Sequence, residues 1–448
     1  MKTRTKLAIV ILMMLSATAQ AACEYIIYPY TGANSQFGSH RLSSASDGKA
    51  DSWWGHSGAD AKNGQLTGVS KSIDVSSNNI FQPPGTVLAA AGGIPFTQYA
   101  HKGGWDPELV FFRCTPDTAG QLYQAFSTNG DDAYAGWYEA QDVPGAYLTL
   151  ARNVAMRITL EATGQVFTDI WQQIAMTNLD TDKDGNFLIK AKNFSPIRVE
   201  LMKTADTRYF ISSAATYTFA GVNPNAYVVF RGPGLDSNGI KVGQAHRGGN
   251  WAGWYHEWPS VISLYNNGIT VRRGAICQVT HFTPFVQLPR VSATDIRAGH
   301  SVSAPFSLEF ACESNVVSGV VSNKQNVALG FLAPEANVLA AQKYGLISGN
   351  AVTHLLDDAY GAPGHARGVG VRILRNGFPM NFLTTDVAGT GAGAGWVPVL
   401  GGAQVKTATQ SGVDSYHETF EARLERFSSD QLEAGRYQAH AQILMRLQ

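Results

Sequence analysis

The sequence predicts an all-β protein made of two β-sandwich domains, on three observations. Short apolar segments separated by Gly, Asn, Asp and Pro recur along the chain, with little helical periodicity. The 448 residues are 44% hydrophobic and 15% charged, with 46 Gly, a balance suited to an extracellular β-protein with more than one core. The four cysteines, Cys23, Cys114, Cys277 and Cys312, are an even set spread over both halves. The formal net charge is zero, which argues against nucleic acid or an anionic membrane as partner.

Taken in order, Lys2, Arg4 and Lys6 precede an apolar run, Leu7 to Leu15, and the small-residue stretch Ala19-Gln20-Ala21. This pattern predicts a secretory signal peptide over 1–21, with Ala22 as the first mature residue. Gln20 stands where a lipoprotein signal would want an aliphatic residue. No later apolar run is long enough to span a bilayer. In an exported protein four cysteines imply two disulfides. Three pairings exist, and loop closure favours the local one, Cys23–Cys114 with Cys277–Cys312.

The first domain is expected over 22–272. Its strand candidates are 109–114, 147–150, 154–160, 187–191, 198–202, 226–231 and 261–272, with one short helix candidate over 119–126. The second domain is expected over 273–448. Phe306, Leu308, Phe310 and Cys312 alternate with polar residues, and so do Phe420, Ala422 and Leu424. Segments 368–374 and 378–383 flank Asn376-Gly377, a hairpin turn signal. The Gly-rich stretch 388–395 is a loop. In the last fourteen residues Tyr437, Ala439, Ala441, Ile443, Met445 and Leu447 are apolar or small at every second place, Leu444 being the exception. That is a strand with one buried face. A long strand with nothing after it to cover its edge invites pairing.

Several motifs could carry chemistry. Asp180-Thr-Asp182-Lys-Asp184-Gly-Asn186 has the spacing of the first half of a calcium loop, with Ala191 where the closing Glu would stand. It is a candidate Ca²⁺ site, or an acidic hairpin turn. Three clusters could face a sugar, whose apolar C–H faces stack on aromatic rings. They are Trp53, Trp54 and His56; Asn129, Asp131 and Tyr134; and Trp251, Trp254 and Tyr255. Each also has a plain reading as core packing or turn chemistry. An enzyme reading finds little. No His-Glu-x-x-His motif is present, and Gly55-His-Ser57-Gly58 lacks the Gly two places after Ser that a nucleophile elbow requires. Asp131 and Asp132 are adjacent, so on a strand they would face opposite ways.

Gly274-Ala-Ile-Cys277 with Cys312, the hairpin at 368–377 and the terminal alternating strand after Gly435 resemble a chaperone–usher pilin domain. Leu447 departs from the pattern, since the family usually has Tyr at the penultimate place. The resemblance implies an incomplete immunoglobulin-like sandwich whose groove is filled by the N-terminal arm of a neighbouring subunit. With Cys23 expected in a bridge, the mature chain can accept such a strand and has no arm to donate, which would end a head-to-tail polymer. The resemblance therefore implies a fimbrial tip adhesin, exported through the periplasm to the cell surface. Its partners would be a periplasmic chaperone, an outer-membrane usher, the next subunit as strand donor, and a host or surface glycan bound by the first domain. The alternatives are a structural tip subunit without lectin activity and a secreted carbohydrate-active enzyme.

Overall fold

The structure, a computed structural model, describes residues 22–26, 39–40, 65–100, 103–130, 136–209, 212–220, 224–235, 240–247, 260–264, 267–321, 325–385, 389–402, 404–428 and 432–448. The expected signal peptide and the residues Trp53, Trp54, His56, Asp131, Tyr134, Trp251, Trp254 and Tyr255 lie outside these. The described chain is all-β apart from short helices.

Among the described residues the first half builds four small sheets, with an aromatic-rich main core and smaller buried clusters beside it. In one, strand Cys23–Ile26 lies between Ser39–His40 and Val110–Cys114, and Phe187–Lys190 and Asp180–Thr181 extend it. A second orders Gln172–Ala175, Tyr123–Thr128, Ala226–Arg231 and Val261–Ile262. A third orders Val87–Ile94, Ile197–Lys203, Val154–Leu160 and Tyr147–Leu148. A fourth places Thr270–Gly274 between Thr216–Thr218 and Ser72–Ser76. Strand Val154–Leu160 buries Met156, Ile158 and Leu160 and leaves Arg157 and Thr159 half-buried between them, the period of two of a strand. Phe96 stacks on Phe194 at 4.2 Å and meets Tyr99 and Phe111 edge-on, so one short helix, Phe96–Tyr99, is pinned into the core by rings.

The helix expected over 119–126 does not form. Residues 116–118 make a single 3₁₀ turn and Tyr123–Thr128 is a strand. That strand is paired on both edges, with 172–175 and with 226–231, and nearly all its residues are buried. Two full ladders outweigh a weak local helical preference.

The second half packs two sheets on one another. One orders Cys277–Phe282, Val302–Glu313, Val413–Arg426, Val369–Arg375 and Phe378–Met380, with Val405–Gln410 also on Val413–Arg426. The other is centred on Asn326–Leu332, which pairs with Val317–Ser318, Phe382–Leu383, Val397–Pro398 and the terminal strand Gln442–Leu447. Phe306, Phe331 and Phe420 meet across the sandwich, Phe306 stacking on Phe420 at 5.3 Å. Asn376 and Gly377 both take positive φ, 53° and 80°, and close the hairpin with Arg375 opposite Phe378. The strand expected over 378–383 is split. Residues 378–380 pair with 373–375 in one sheet, and Phe382–Leu383 belong to the other. A helix absent from the sequence reading, Glu335–Lys343, covers one end of this core with Val338 and Ala341.

The terminal segment has the expected face. Tyr437, Ala439, Ala441, Ile443 and Met445 pack on the core and Leu447 is buried in it. Leu444, the exception to the alternation, packs on a separate cluster formed by Ala328, Leu383, Ala394 and Trp396. The opposite face of this strand therefore has an apolar contact of its own.

Candidate functional site

Two strand edges stand open side by side in the second half. Cys277–Phe282 is the outermost strand of its sheet, and Gln442–Leu447 pairs only with Asn326–Leu332 among the described residues. The two lie next to each other without a ladder between them. Half-buried Val279, Ile443 and Met445 on these two strands pack against the core, and Phe282 is 48% exposed. Edge backbone groups of the two strands thus border an apolar floor.

Both disulfides sit at strand pairs. Cys23 is directly opposite Cys114, and Cys277 directly opposite Cys312, each pair bonded with Cα atoms 4.0 Å apart. The second bond clamps the first strand of the groove to the neighbour behind it. That holds the groove wall in place when its outer edge has no partner.

The first half of the terminal segment is held by side chains. The Asp357 carboxylate accepts from Gln438 N at 2.7 Å and meets His365 Nδ1 at 2.7 Å. Asp358 meets His440 Nδ1 at 2.9 Å. The Tyr437 hydroxyl donates to Leu355 O at 2.5 Å and accepts from Val371 N at 3.1 Å, and burial pushes its ionisation well up. Gly435 lies so close to the 364–366 backbone that a Cβ there would sit 2.4 Å from the His365 carbonyl carbon. Only glycine allows that approach.

One end of the groove abuts the first half of the chain. A cavity of about 290 Å³ is lined by Asp74, Phe81, Gln82 and Thr86 on one side and by residues 276–278, Val327 and 445–447 on the other. Asp74 Oδ2 accepts from Leu447 N at 2.9 Å, whereas Oδ1 is shut off from solvent and has no hydrogen-bond partner. Burial lifts this carboxyl to about 6, against the pull of the Leu447 amide, Arg446 and Arg272. Beside it the Ser76 hydroxyl donates to Glu313 at 2.5 Å, and Lys203 Nζ donates to Ser76 O at 2.7 Å. Lys203 and Glu313 are both fully buried, and burial draws the lysine down to about 8. The sequence reading named none of Asp74, Ser76, Lys203 or Glu313. Alternation along Ser72–Ser76 points Asp74 away from the core beneath Ile73 and Val75, which gives no hint of a partner 373 residues later.

The calcium-loop motif forms a turn whose carboxylates are held by basic side chains and backbone amides. Asp180 pairs with Lys190 at 2.7 Å and Lys192 at 2.9 Å, and those two lysines also hold Glu108. Asp182 receives the Arg113 guanidinium at 2.7 Å, the backbone amides of Asp184 and Asn186, and the Asn186 amide group. Asp184 turns outward, 3.6 Å from Arg113. The lysine hydrogen bonds hold Asp180 below the usual carboxylate range. For Asp182 burial works upward, but the Asn186 and backbone hydrogen bonds outweigh it. These carboxylates are engaged by Arg113, Lys190 and Lys192, and among the described residues no three His, Cys, Asp or Glu form a group that could hold a metal ion.

Asn129, the one described member of the sugar-facing clusters, is fully buried, and its amide donates to Pro224 O at 2.9 Å. It holds two segments together. Its neighbour in space, His246, is buried against Trp171 with ring centroids 5.0 Å apart. His246 Nδ1 lies 3.0 Å from Thr128 O, which can only accept, so Nδ1 carries the proton.

Comparison with known proteins bears on the second half. The family model described as Fimbrial protein matches residues 266–448. Similar solved structures include the CupB6 tip adhesin from Pseudomonas aeruginosa, at 14% identity over 87% of this chain and 96% of that one, TM-score 0.24. The CsuC–CsuE chaperone–tip adhesion subunit complex of Acinetobacter baumannii matches at 11% identity over 84% and 98%, TM-score 0.20. The P pilus rod subunit PapA matches at 14% identity over 38% and 92%, TM-score 0.23. At these TM-scores the structural likenesses carry no weight of their own. No curated protein matches. The family match spans the disulfide-bonded strands, the Asn376-Gly377 hairpin and the terminal strand, so residues 266–448 are similar to a Fimbrial protein domain.

Proposed function

We propose that the chain is a tip adhesin of a chaperone–usher fimbrium, with residues 273–448 as a strand-accepting pilin domain and 22–272 as the receptor-binding domain. One observation carries the reading. Residues 270–274, directly ahead of the first disulfide strand of the fimbrial domain, are themselves a strand held between Ser72–Ser76 and Thr216–Thr218. Where a donating subunit needs a free arm, this chain has a strand built into a sheet, while its groove keeps two open edges. Such a subunit accepts and does not donate, and it ends a head-to-tail assembly. A periplasmic chaperone would cover the groove before assembly, and the usher would exchange it for the donor. The first half, with its own core, would present the receptor contact, a glycan on the strength of the aromatic stretches 53–54 and 251–258.

The test has two arms on the full chain. A panel of 8- to 14-residue peptides, apolar at alternate positions, should raise the melting temperature of the protein. No shift with any peptide would remove strand acceptance. A glycan-array and host-cell binding screen should find a specific ligand, and silence in both would leave a structural tip subunit.

A further inference from the structure

We propose that Arg247 and Asp169, on the surface of the first half, form a hydroxyl-binding pair that holds a neutral sugar of the receptor glycan, with Trp137 fixing the guanidinium. The inference rests on the receptor-binding reading above and names the residues and the ligand class for it.

Three segments bring the pair together. Residues 244–246 run antiparallel to 169–171. Ala245 bridges Ile170, His246 N donates to Asp169 O at 2.6 Å, and Trp171 N donates to Gln244 O at 3.0 Å. Arg247 follows directly and comes to lie beside Asp169. The third segment, 137–139, is tied to 147–148 by the Glu139–Tyr147 bridge and the bond from Leu148 N to Tyr138 O. The Tyr147 hydroxyl in turn accepts from Asp169 N at 2.9 Å and donates to Asp169 Oδ1 at 3.3 Å. One carboxylate oxygen is thereby fixed, and Oδ2 is the one nearest Arg247.

The guanidinium is fixed as well. Its carbon lies 5.2 Å from the Trp137 ring centroid, Trp137 stacks on Tyr138 at 5.8 Å, and Tyr138 meets Tyr209 at 5.4 Å. Tyr138 and Tyr209 pack in turn on the buried cluster around Val143 and Leu148. The Arg247 side chain nevertheless stays 47% exposed, and that of Asp169 22%.

The closest approach of the two, Nη2 to Oδ2, is 4.0 Å, too long for a hydrogen bond. An ion pair of that length in solvent adds little to stability, so folding alone does not explain it. The spacing fits one oxygen lying about 2.8 Å from each partner. An atom bridging them must accept from the guanidinium and donate to the carboxylate, as a hydroxyl does. A carboxylate or sulfate there would meet Asp169 as a like charge, and an ammonium would meet Arg247. The pair therefore prefers a neutral hydroxyl. Half-buried Trp137, Tyr138 and Tyr209 extend from it as apolar surface for the C–H face of a pyranose. The other charged groups along this row are committed. Arg208 donates to Asp206 and to Glu139 O, and the Glu139 carboxylate accepts from Gly145 N.

The experiment screens the full chain on an array of neutral, sialylated, uronate-bearing and sulfated glycans, then titrates the strongest array glycan into wild type, Arg247→Gln and Asp169→Asn. The strongest glycan should be neutral. Each variant should bind it about tenfold or more weakly, the loss expected for a hydrogen bond to a charged group. Arg247→Gln should melt as wild type does. Asp169→Asn keeps an oxygen for Tyr147 and loses the acceptor beside Arg247, so it tests the pair without touching the Trp137 stack. Undiminished binding by either variant overturns the paired role while leaving the receptor reading in place. Wild-type binding confined to acidic glycans overturns the neutral class. No array binding by wild type removes glycan recognition and this site with it.

Discussion

At the scale of single residues, His246 couples the first half of the chain to pH. Its ring is buried, and burial takes its pKa from 6.5 down to about 4, only partly opposed by the Thr128 carbonyl. Above pH 6.5 the ring is neutral folded or unfolded. Between 6.5 and 4 the unfolded chain binds a proton that the folded one refuses, so stability falls as pH falls through that window. The loss should approach about 3 kcal/mol by the lower end. Chemical denaturation at pH 7 and pH 4.5 should show it as a difference between wild type and His246→Gln, and parallel pH profiles of the two would refute it. The hairpin at Asp180–Asn186 gives a second expectation. Because Asp182 spends its oxygens on Arg113, Asn186 and two backbone amides, millimolar Ca²⁺ should produce no binding heat and EDTA no change in melting.

At the scale of elements, the terminal segment depends on two kinds of anchor. From Gln442 onward it has a ladder, whereas from Gly435 to His440 it depends on Asp357, Asp358 and close contact with residues 364–366. Gly435→Ala should therefore push the first half of the segment off that loop and cost about 2 kcal/mol, within the range for overpacking a tight contact. Faster hydrogen exchange at Gln438 and Tyr437, with protection at Leu444 retained, would distinguish local release from general loosening. The hairpin strand Val369–Arg375 has a different anchor. The Arg375 guanidinium takes both Glu418 oxygens, at 2.6 and 2.8 Å, and also donates to the carbonyls of Pro398 and Val399. Arg375→Met leaves Glu418 as an unpaired carboxylate in a buried site, for which about 3–5 kcal/mol is typical. Urea denaturation would check it, and a loss under 1 kcal/mol would show that water or another cation reaches Glu418.

At the scale of the molecule, the seam between the halves joins the groove to the rest. Ser76 and Lys203 come from the first half and Glu313 from the second, all three fully buried. Glu313 stands on the strand carrying Cys312, the immediate neighbour of Cys277–Phe282, so the seam and the groove share a wall. Glu313→Gln removes the carboxylate that favours the Lys203 ammonium, and the seam should weaken by about 1–3 kcal/mol. We expect the wild type to melt as one cooperative unit and this variant to show two separable transitions. A single unshifted transition by calorimetry would mean that the halves unfold together for other reasons.

Much of the architecture was legible in residue order because it follows from local rules. Short apolar segments marked 154–160 and 226–231, period-two alternation marked 306–312, 420–424 and the inward face of 437–447, and Asn376-Gly377 marked a hairpin because both positions accept positive φ. The same rules misread 119–126, where pairing on both edges overrode local preference, and missed helix Glu335–Lys343, whose hydrophobic periodicity is too weak to see. At the Asp180 motif spacing reports which carboxylates could converge, whereas Arg113, Lys190 and Lys192 reach them from other segments of the chain. By itself, then, the sequence determined the fold class, the strand faces and the family pattern of the second half, since these depend on neighbours along the chain. Only the tertiary structure decided that Leu447 meets Asp74, that Ser76 meets Glu313, and that two strand edges stay open between them. Those contacts join residues hundreds of positions apart, and no local pattern encodes them.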